Sequence, residues 1–310
     1  MDRFLILVPS PQLNPHATIC HCSMTVKVQY RDFEPGEFTA IKDRSYEETI
    51  ALIGSFPWVD QRDNLRVGLT GPSVTMEAAT GEFLKLAMYY SGKFILYYID
   101  GRHHEFIRVL TSVDDAASSI QTFFMESSSP PMDFTPRQTF LQHVMVHFRT
   151  GDFTYRMRPA RLTGAIALIC LYLMISAMLT FTVLAPGKSG LWPFLIPALV
   201  FFCFAAVQVI LLVNHCRHAS GQVLILSLGL REFSYGPAAN PERFNKDEIR
   251  QIITHGRRAR GGYPALTRVE IAFADGRSIN ISCLFISQED LVGKFPGIWQ
   301  TKDEVFLPFM

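Results

Sequence analysis

Two uninterrupted apolar runs dominate the hydrophobic pattern of the chain. LTGAIALICLYLMISAMLTFTVLA, Leu162–Ala185, contains 24 residues without a charge, and LWPFLIPALVFFCFAAVQVILLV, Leu191–Val213, contains 23 more. At helical rise each run covers roughly 35 Å, more than a hydrocarbon core of about 30 Å. Buried helices of a soluble domain would need periodic polar positions on their outer faces, and Gln208 is nearly the only polar amide in either run. The pattern predicts two transmembrane helices, residues 162–185 and 191–213, joined by a turn at 186–190. That turn contains Gly187-Lys188-Ser189, the close of a phosphate-binding loop. The first glycine of such a loop would stand at Thr182, however, and no strand precedes the segment. Pro186, Gly187 and Gly190 are turn formers between two spans.

Before the spans the pattern shortens to strand-like and helix-like pieces. Ser45–Phe56 carries a capping serine, Glu48 three residues later, and apolar Ile50, Leu52 and Ile53, which predicts a short helix. Strands are expected at 65–69, 73–78, 83–90, 93–99 and 105–110, with Ser91-Gly92 and Asp100-Gly101 as hairpin turns. Ser112 then caps a second helix whose apolar face is Ala116, Ile120, Phe123 and Phe124. This predicts an α+β antiparallel-sheet domain over 24–128, preceded by residues 1–23, which are expected to be unstructured or to lie before a natural start at Met24. KFILYYI is apolar at both alternating sets, Phe94, Leu96, Tyr98 and Ile95, Tyr97, Ile99. Either helices cover both faces or one face meets a partner, and the candidate partner-binding residues are Trp58, Tyr89, Tyr97 and Tyr98. Residues 129–161 read as a linker and juxtamembrane element, in which Val144, Val146 and Phe148 alternate as in a strand.

After the spans, 221–297 reads as a second small domain. VLILSLGLREFSYG predicts two strands around Gly229, and NKDEIRQIITHG a short helix or strand. TRVEIAFADGRSINIS predicts a β-hairpin with a type I′ turn at Asp275-Gly276. Ser287 with Asp290 three residues on caps a closing helix, and 298–310 is left as a tail. The expected fold class is thus a membrane α-hairpin flanked by an α+β antiparallel-sheet domain and a small C-terminal domain of strands closed by a helix, which the first resemblance described below makes a small β-barrel.

Charge adds an orientation. Arg149, Arg156, Arg158 and Arg161 precede the first span and Arg217 follows the second, whereas the connecting turn holds only Lys188, so both soluble parts and both termini are expected on the cytoplasmic side. Arg156, Arg158 and Arg161, with Arg257, Arg258 and Arg260 in HGRRARGG, are the candidate contacts for anionic phospholipid; a solvated loop is the alternative for the last three. A formal charge of +1 and the absence of an aromatic platform beside the arginines speak against nucleic acid. Six scattered cysteines form no disulfide framework.

Candidate chemistry is sparse. Cys20, His21 and Cys22 lack a second ligand pair, and His143 and His147, at helical spacing, lack a third ligand. His103 and His104 diverge on an extended chain. No catalytic residue, cofactor or metal ligand is expected.

Two resemblances remain. The strands Ile225–Tyr235, the segment Glu248–Ile253 and the hairpin and helix of Val269–Leu291 are similar to bacterial pleckstrin-homology-like domains. That resemblance implies a small barrel closed by a helix and a non-enzymatic role. GKFILYYID and DDAASSIQTFF resemble small polymorphic-toxin immunity domains, which implies neutralisation of a toxin by binding. Together they yield an expected multi-pass protein of a bacterial inner membrane that acts as a binding protein, through its N-terminal domain on a toxin or membrane complex. The alternative is a lipid-sensing or assembly factor acting through the C-terminal domain. Small residues Gly164, Ala167, Ser176 and Ala177 would let spans approach in a homo-oligomer.

Overall fold

The computed structural model describes residues 23–62, 69, 71–127, 130, 133–137, 142–184, 193–255, 266–303 and 309–310; for residues 142–144 it describes the backbone alone. The expectations for 1–22, the strand at 65–68, the inter-span turn and the loop carrying Arg257, Arg258 and Arg260 fall outside these. The chain divides into two compact units. One holds the described residues up to Arg31 and from Phe38 to Phe148; the other holds Asp32–Glu37 and the described residues from Arg149 on.

The first unit is a seven-stranded sheet with two helices. Its strands are β1 (Met24–Gln29), β2 (Thr39–Arg44), β3 (Ser73–Glu77), β4 (Phe83–Met88), β5 (Phe94–Ile99), β6 (Glu105–Leu110) and β7 (Thr135–Arg137), in the order β2-β1-β3-β4-β5-β6-β7. Helix α1 (Tyr46–Ser55) starts at the reciprocal cap read from Ser45 and Glu48. Helix α2 (Ala117–Met125) is preceded by a 3-10 turn in which Ser112 and Asp115 exchange side-chain-to-backbone hydrogen bonds. These helices lay Ile53, Ile120 and Phe123 on Leu84, Leu86, Leu96 and Tyr98, which covers one face of the sheet. The opposite face, Phe83, Ala87, Ile95, Tyr97 and Ile99, packs against Phe148 and Met145. Two apolar faces on one strand are therefore both explained inside the unit. Phe148 follows a 3-10 turn, Gln142–His147, where a strand was expected. The 129–161 stretch is accordingly more than a linker, since β7 pairs with β6 within it.

The second unit places its strands in two four-stranded sheets. β8 (Thr154–Tyr155), β9 (Gln222–Ile225), β10 (Glu232–Pro237) and β11 (Glu242–Asn245) pair in sequence order. β12 (Ile249–His255), β13 (Arg268–Phe273) and β14 (Ser278–Ser282) do likewise, and β15 (Gln300–Asp303) adds in parallel to β12. Helix α5 (Gln288–Gly293) opens on the predicted Ser287 cap. Among the described residues the expected closed barrel is instead this pair of sheets, with Phe233, Phe244, Phe273, Ile271, Leu291 and Phe295 in one core. The tail expected at 298–310 contributes β15; QTKD has no apolar alternation, so only its pairing partner reveals it as a strand.

Turn chemistry separates two hairpins that look alike in sequence. At Ser91-Gly92 both central residues have positive φ, 54° and 76°, which is the type I′ requirement. At Asp275-Gly276 only Gly276 does, at 90°, and Gly276 N–H returns to the Phe273 carbonyl. This is a three-residue loop with the glycine in the left-handed position, and it corrects the type I′ expectation. Gly276→Ala is expected to lower stability by about 1 kcal/mol through left-handed strain, measurable as a lower urea midpoint.

Two long helices sit between β8 and β9. α3 (Pro159–Leu184) and α4 (Leu195–Ala219) are long and apolar enough to cross a membrane. They pack on each other with Ala205 fully buried, and Ser176 Oγ donates to the Ala198 carbonyl at 2.8 Å. α3 starts three residues earlier than its apolar run because Pro159 suits a first helical position. α4 starts later than expected and runs past Val213 to Ala219: its polar last turns find partners, with buried His215 Nδ1 at 2.8 Å from Ser282 Oγ.

Candidate functional site

Basic residues gather where α3 and α4 meet the sheets. β8 ends at Tyr155, and after three intervening residues the chain enters α3, so Arg156 and Arg158 stand just before the first apolar helix. Both are exposed, as is Arg217 in the last turn of α4. The Arg158 amide donates to the Leu284 carbonyl at 3.2 Å, and its guanidinium lies 5.9 Å from the centre of the Tyr155 ring. Arg161 is different: its Nη1 donates to the Cys283 carbonyl at 2.7 Å, which fastens the first turn of α3 to the end of β14. Of the three span-entry arginines, two present charge to the surroundings and one is a structural tie.

The candidate partner-binding aromatics are largely interior. Trp58 is 8% exposed, with its indole N–H on the Ile53 carbonyl at 2.9 Å and its ring against Phe56 and Phe94. Tyr97 and Tyr98 are buried on opposite faces of β5, and burial pushes both hydroxyls up to about 12. Tyr98 donates to the Ser127 carbonyl. Tyr89 is half-buried against the exposed ring of Tyr90.

The first unit also buries two lysines that the sequence did not single out. Lys27 and Lys85 project from the face of the sheet opposite the helices, and Lys85 is 0% exposed. Its ammonium donates to Gln29 Oε1 at 2.9 Å, the His147 carbonyl at 3.2 Å and the Leu69 carbonyl. Lys27 pairs with Glu77 at 2.8 Å. Burial, then the neighbouring charge of Lys27, brings Lys85 down to about 7. Burial and Lys85 together bring His147 down to about 4. Enclosed by Phe38, Phe83 and Phe148, this cluster has the environment of a core element. His103 and His104 lie in an exposed turn, where His104 pairs with Asp100 at 2.8 Å.

In the second unit a cavity of about 410 Å³ is bordered by Leu228–Arg231, Lys246, Asp247, Arg250 and the Phe295–Trp299 turn. Trp299 stands exposed at its edge, and Arg231 pairs with Asp247 at 3.6 Å. Neither Lys246 nor Lys294 was legible as a site residue, because each is an isolated lysine in sequence. Their common surroundings exist only after the sheets are assembled.

No curated protein and no solved structure matches the chain. Residues 154–294 match a family model described as a PH domain, an interval that contains β8 to β14, α5 and both long helices. The C-terminal part of the chain is a PH-like domain in which two long apolar helices are set between the first two strands.

Proposed function

We propose that the chain is a membrane-anchored, non-enzymatic binding protein whose PH-like domain works against an anionic bilayer surface. The observation that carries this reading is the placement of α3 and α4 between β8 and β9, neighbours in one sheet. If the two helices span a membrane, the domain has no linker on which to leave the surface, because only residues 156–158 lie between Tyr155 and Pro159. Exposed Arg156, Arg158 and Arg217 then lie at headgroup level, where each charge contributes about 1 kcal/mol of attraction at low ionic strength.

The test is lipid composition in the immediate shell. Full-length protein reconstituted in vesicles of mixed phosphatidylcholine and phosphatidylglycerol, then extracted into polymer-bounded particles, is expected to retain phosphatidylglycerol above its bulk fraction. R156Q/R158Q/R217Q is expected to lower that preference at least tenfold at low salt. A wild-type shell with the bulk composition would refute the reading.

A further inference from the structure

In the second unit a loop of backbone amides and a lysine hold two of the chain's own carboxylates. Residues 34–37, Glu-Pro-Gly-Glu, form a turn in which Glu37 N–H returns to the Glu34 carbonyl at 3.0 Å. Pro35 is second and Gly36, with φ 79°, is third, as a type II turn demands. The turn presents two carboxylates to the loop after β9. Glu37, 1% exposed, accepts from Gly229 N–H at 2.9 Å and Leu230 N–H at 2.8 Å. Glu34 accepts from Leu228 N–H at 3.0 Å and pairs with the Lys294 ammonium. Three consecutive backbone donors and a lysine thus converge on two acidic groups, the arrangement of an anion-binding nest.

A buried lysine shapes the loop from behind. Lys246 Nζ donates to the carbonyls of Ser227 at 2.6 Å, Leu228 at 2.8 Å and Lys294 at 3.2 Å. Drawing those carbonyls to one side turns the following N–H groups to the other. Burial depresses Lys246 to about 8, with Glu37 opposing and Lys294 reinforcing the shift. Gly229 completes the receptor, since a Cβ there would stand 2.1 Å from the Phe33 ring. The same loop, Lys246 and the Phe295–Trp299 turn also line the cavity of about 410 Å³, which brings Arg231 and Arg250 close to it.

We propose that the Leu228–Leu230 amides and Lys294, with the charge of Lys246 behind them, are a binding site for a phosphate-bearing anion, and that the Asp32–Glu37 turn is a tethered ligand occupying it. The charges correspond: two carboxylates stand against two ammonium groups, and a phosphate dianion offers the same charge with three acceptor oxygens at one centre. Tethering confers a high effective concentration, so the wild-type receptor is mostly self-occupied and an external anion binds by displacing the turn. This site is distinct from the span-entry arginines and does not depend on their contact with lipid.

Full-length protein in neutral detergent is titrated with inorganic phosphate, with dihexanoyl phosphatidic acid and, as control, with dihexanoyl phosphatidylcholine, while deuterium exchange reports protection of residues 226–231. E34Q/E37Q is expected to bind at least one phosphate probe at least tenfold more tightly than wild type. G229A, which displaces Phe33 but keeps every charge, is expected to shift affinity the same way, and addition of K294M to E34Q/E37Q to abolish it. Response to inorganic phosphate identifies a soluble ligand class; response to phosphatidic acid alone identifies a headgroup. Absence of probe binding in a folded E34Q/E37Q, or equal affinity in wild type and both variants, would overturn the proposal. Loss of the fold in both variants would overturn it too, because a ligand is dispensable and a structural element is not.

Discussion

Raising the pH from about 4 to about 10 is expected to stabilise the first unit continuously, in two limbs. His147 falls to about 4 in the folded unit from an ordinary 6.5, so between those values the unfolded chain binds a proton that the folded one does not, and stability is lost as pH falls. Lys85 falls to about 7 from 10.5, and in that window the same inequality holds, so stability rises with pH. Each limb has a limiting slope of about 1.4 kcal/mol per pH unit. Above about 10 the slope reverses, because Tyr97 and Tyr98 hold their protons to about 12 when folded and lose them sooner when unfolded. Urea midpoints read from Trp58 fluorescence in a W192F/W299F background would measure this. H147Q should flatten the acidic limb and K85M the alkaline one. A stability maximum near neutrality would show that Lys85 keeps its charge through its three acceptors and that burial is the weaker influence.

Met174→Arg is expected to abolish stable membrane integration. Met174 lies near the middle of α3 and is 63% exposed, on a surface with no protein cover among the described residues. An arginine at the centre of a span costs about 2.5–3.5 kcal/mol, roughly a hundredfold in an insertion equilibrium. On the surface of a soluble helical pair the same change would stay within about 0.5 kcal/mol. Resistance of the protein to alkaline carbonate extraction distinguishes the two, with Met174→Leu as the control for side-chain size. Retention of M174R in the carbonate-resistant membrane fraction would sink the spanning reading and, with it, the proposed work of the PH-like domain at a bilayer.

The candidate sites were read unequally from sequence. Arg156 and Arg158 were legible as charges flanking a long apolar run, and the structure places both, exposed, just before α3. Trp58, Tyr97 and Tyr98 were legible as important but not as interior, since an aromatic residue on a strand looks the same whether its face is covered by α1 and α2, by Phe148 or by a partner. The Glu34–Lys294 pair was invisible because 260 residues separate its members. The second unit's parallel strand, β15, was invisible because four mostly polar residues carry no period of their own.

Local physics is therefore what the sequence determined alone: two apolar stretches too long and too uniform for a small domain, the caps at Ser45 and Ser287, and the hairpin turn at Ser91-Gly92. Each of these depends on residues a few positions apart. Tertiary structure decided the rest. It set α3 and α4 between adjacent strands of one sheet, arranged the last strands as two sheets where a closed barrel was expected, and turned three backbone amides and two lysines toward Glu34 and Glu37. Strand order, sheet closure and convergent charges depend on which distant segments share a neighbour. That choice is made by the burial of whole faces, a quantity no short stretch of chain contains.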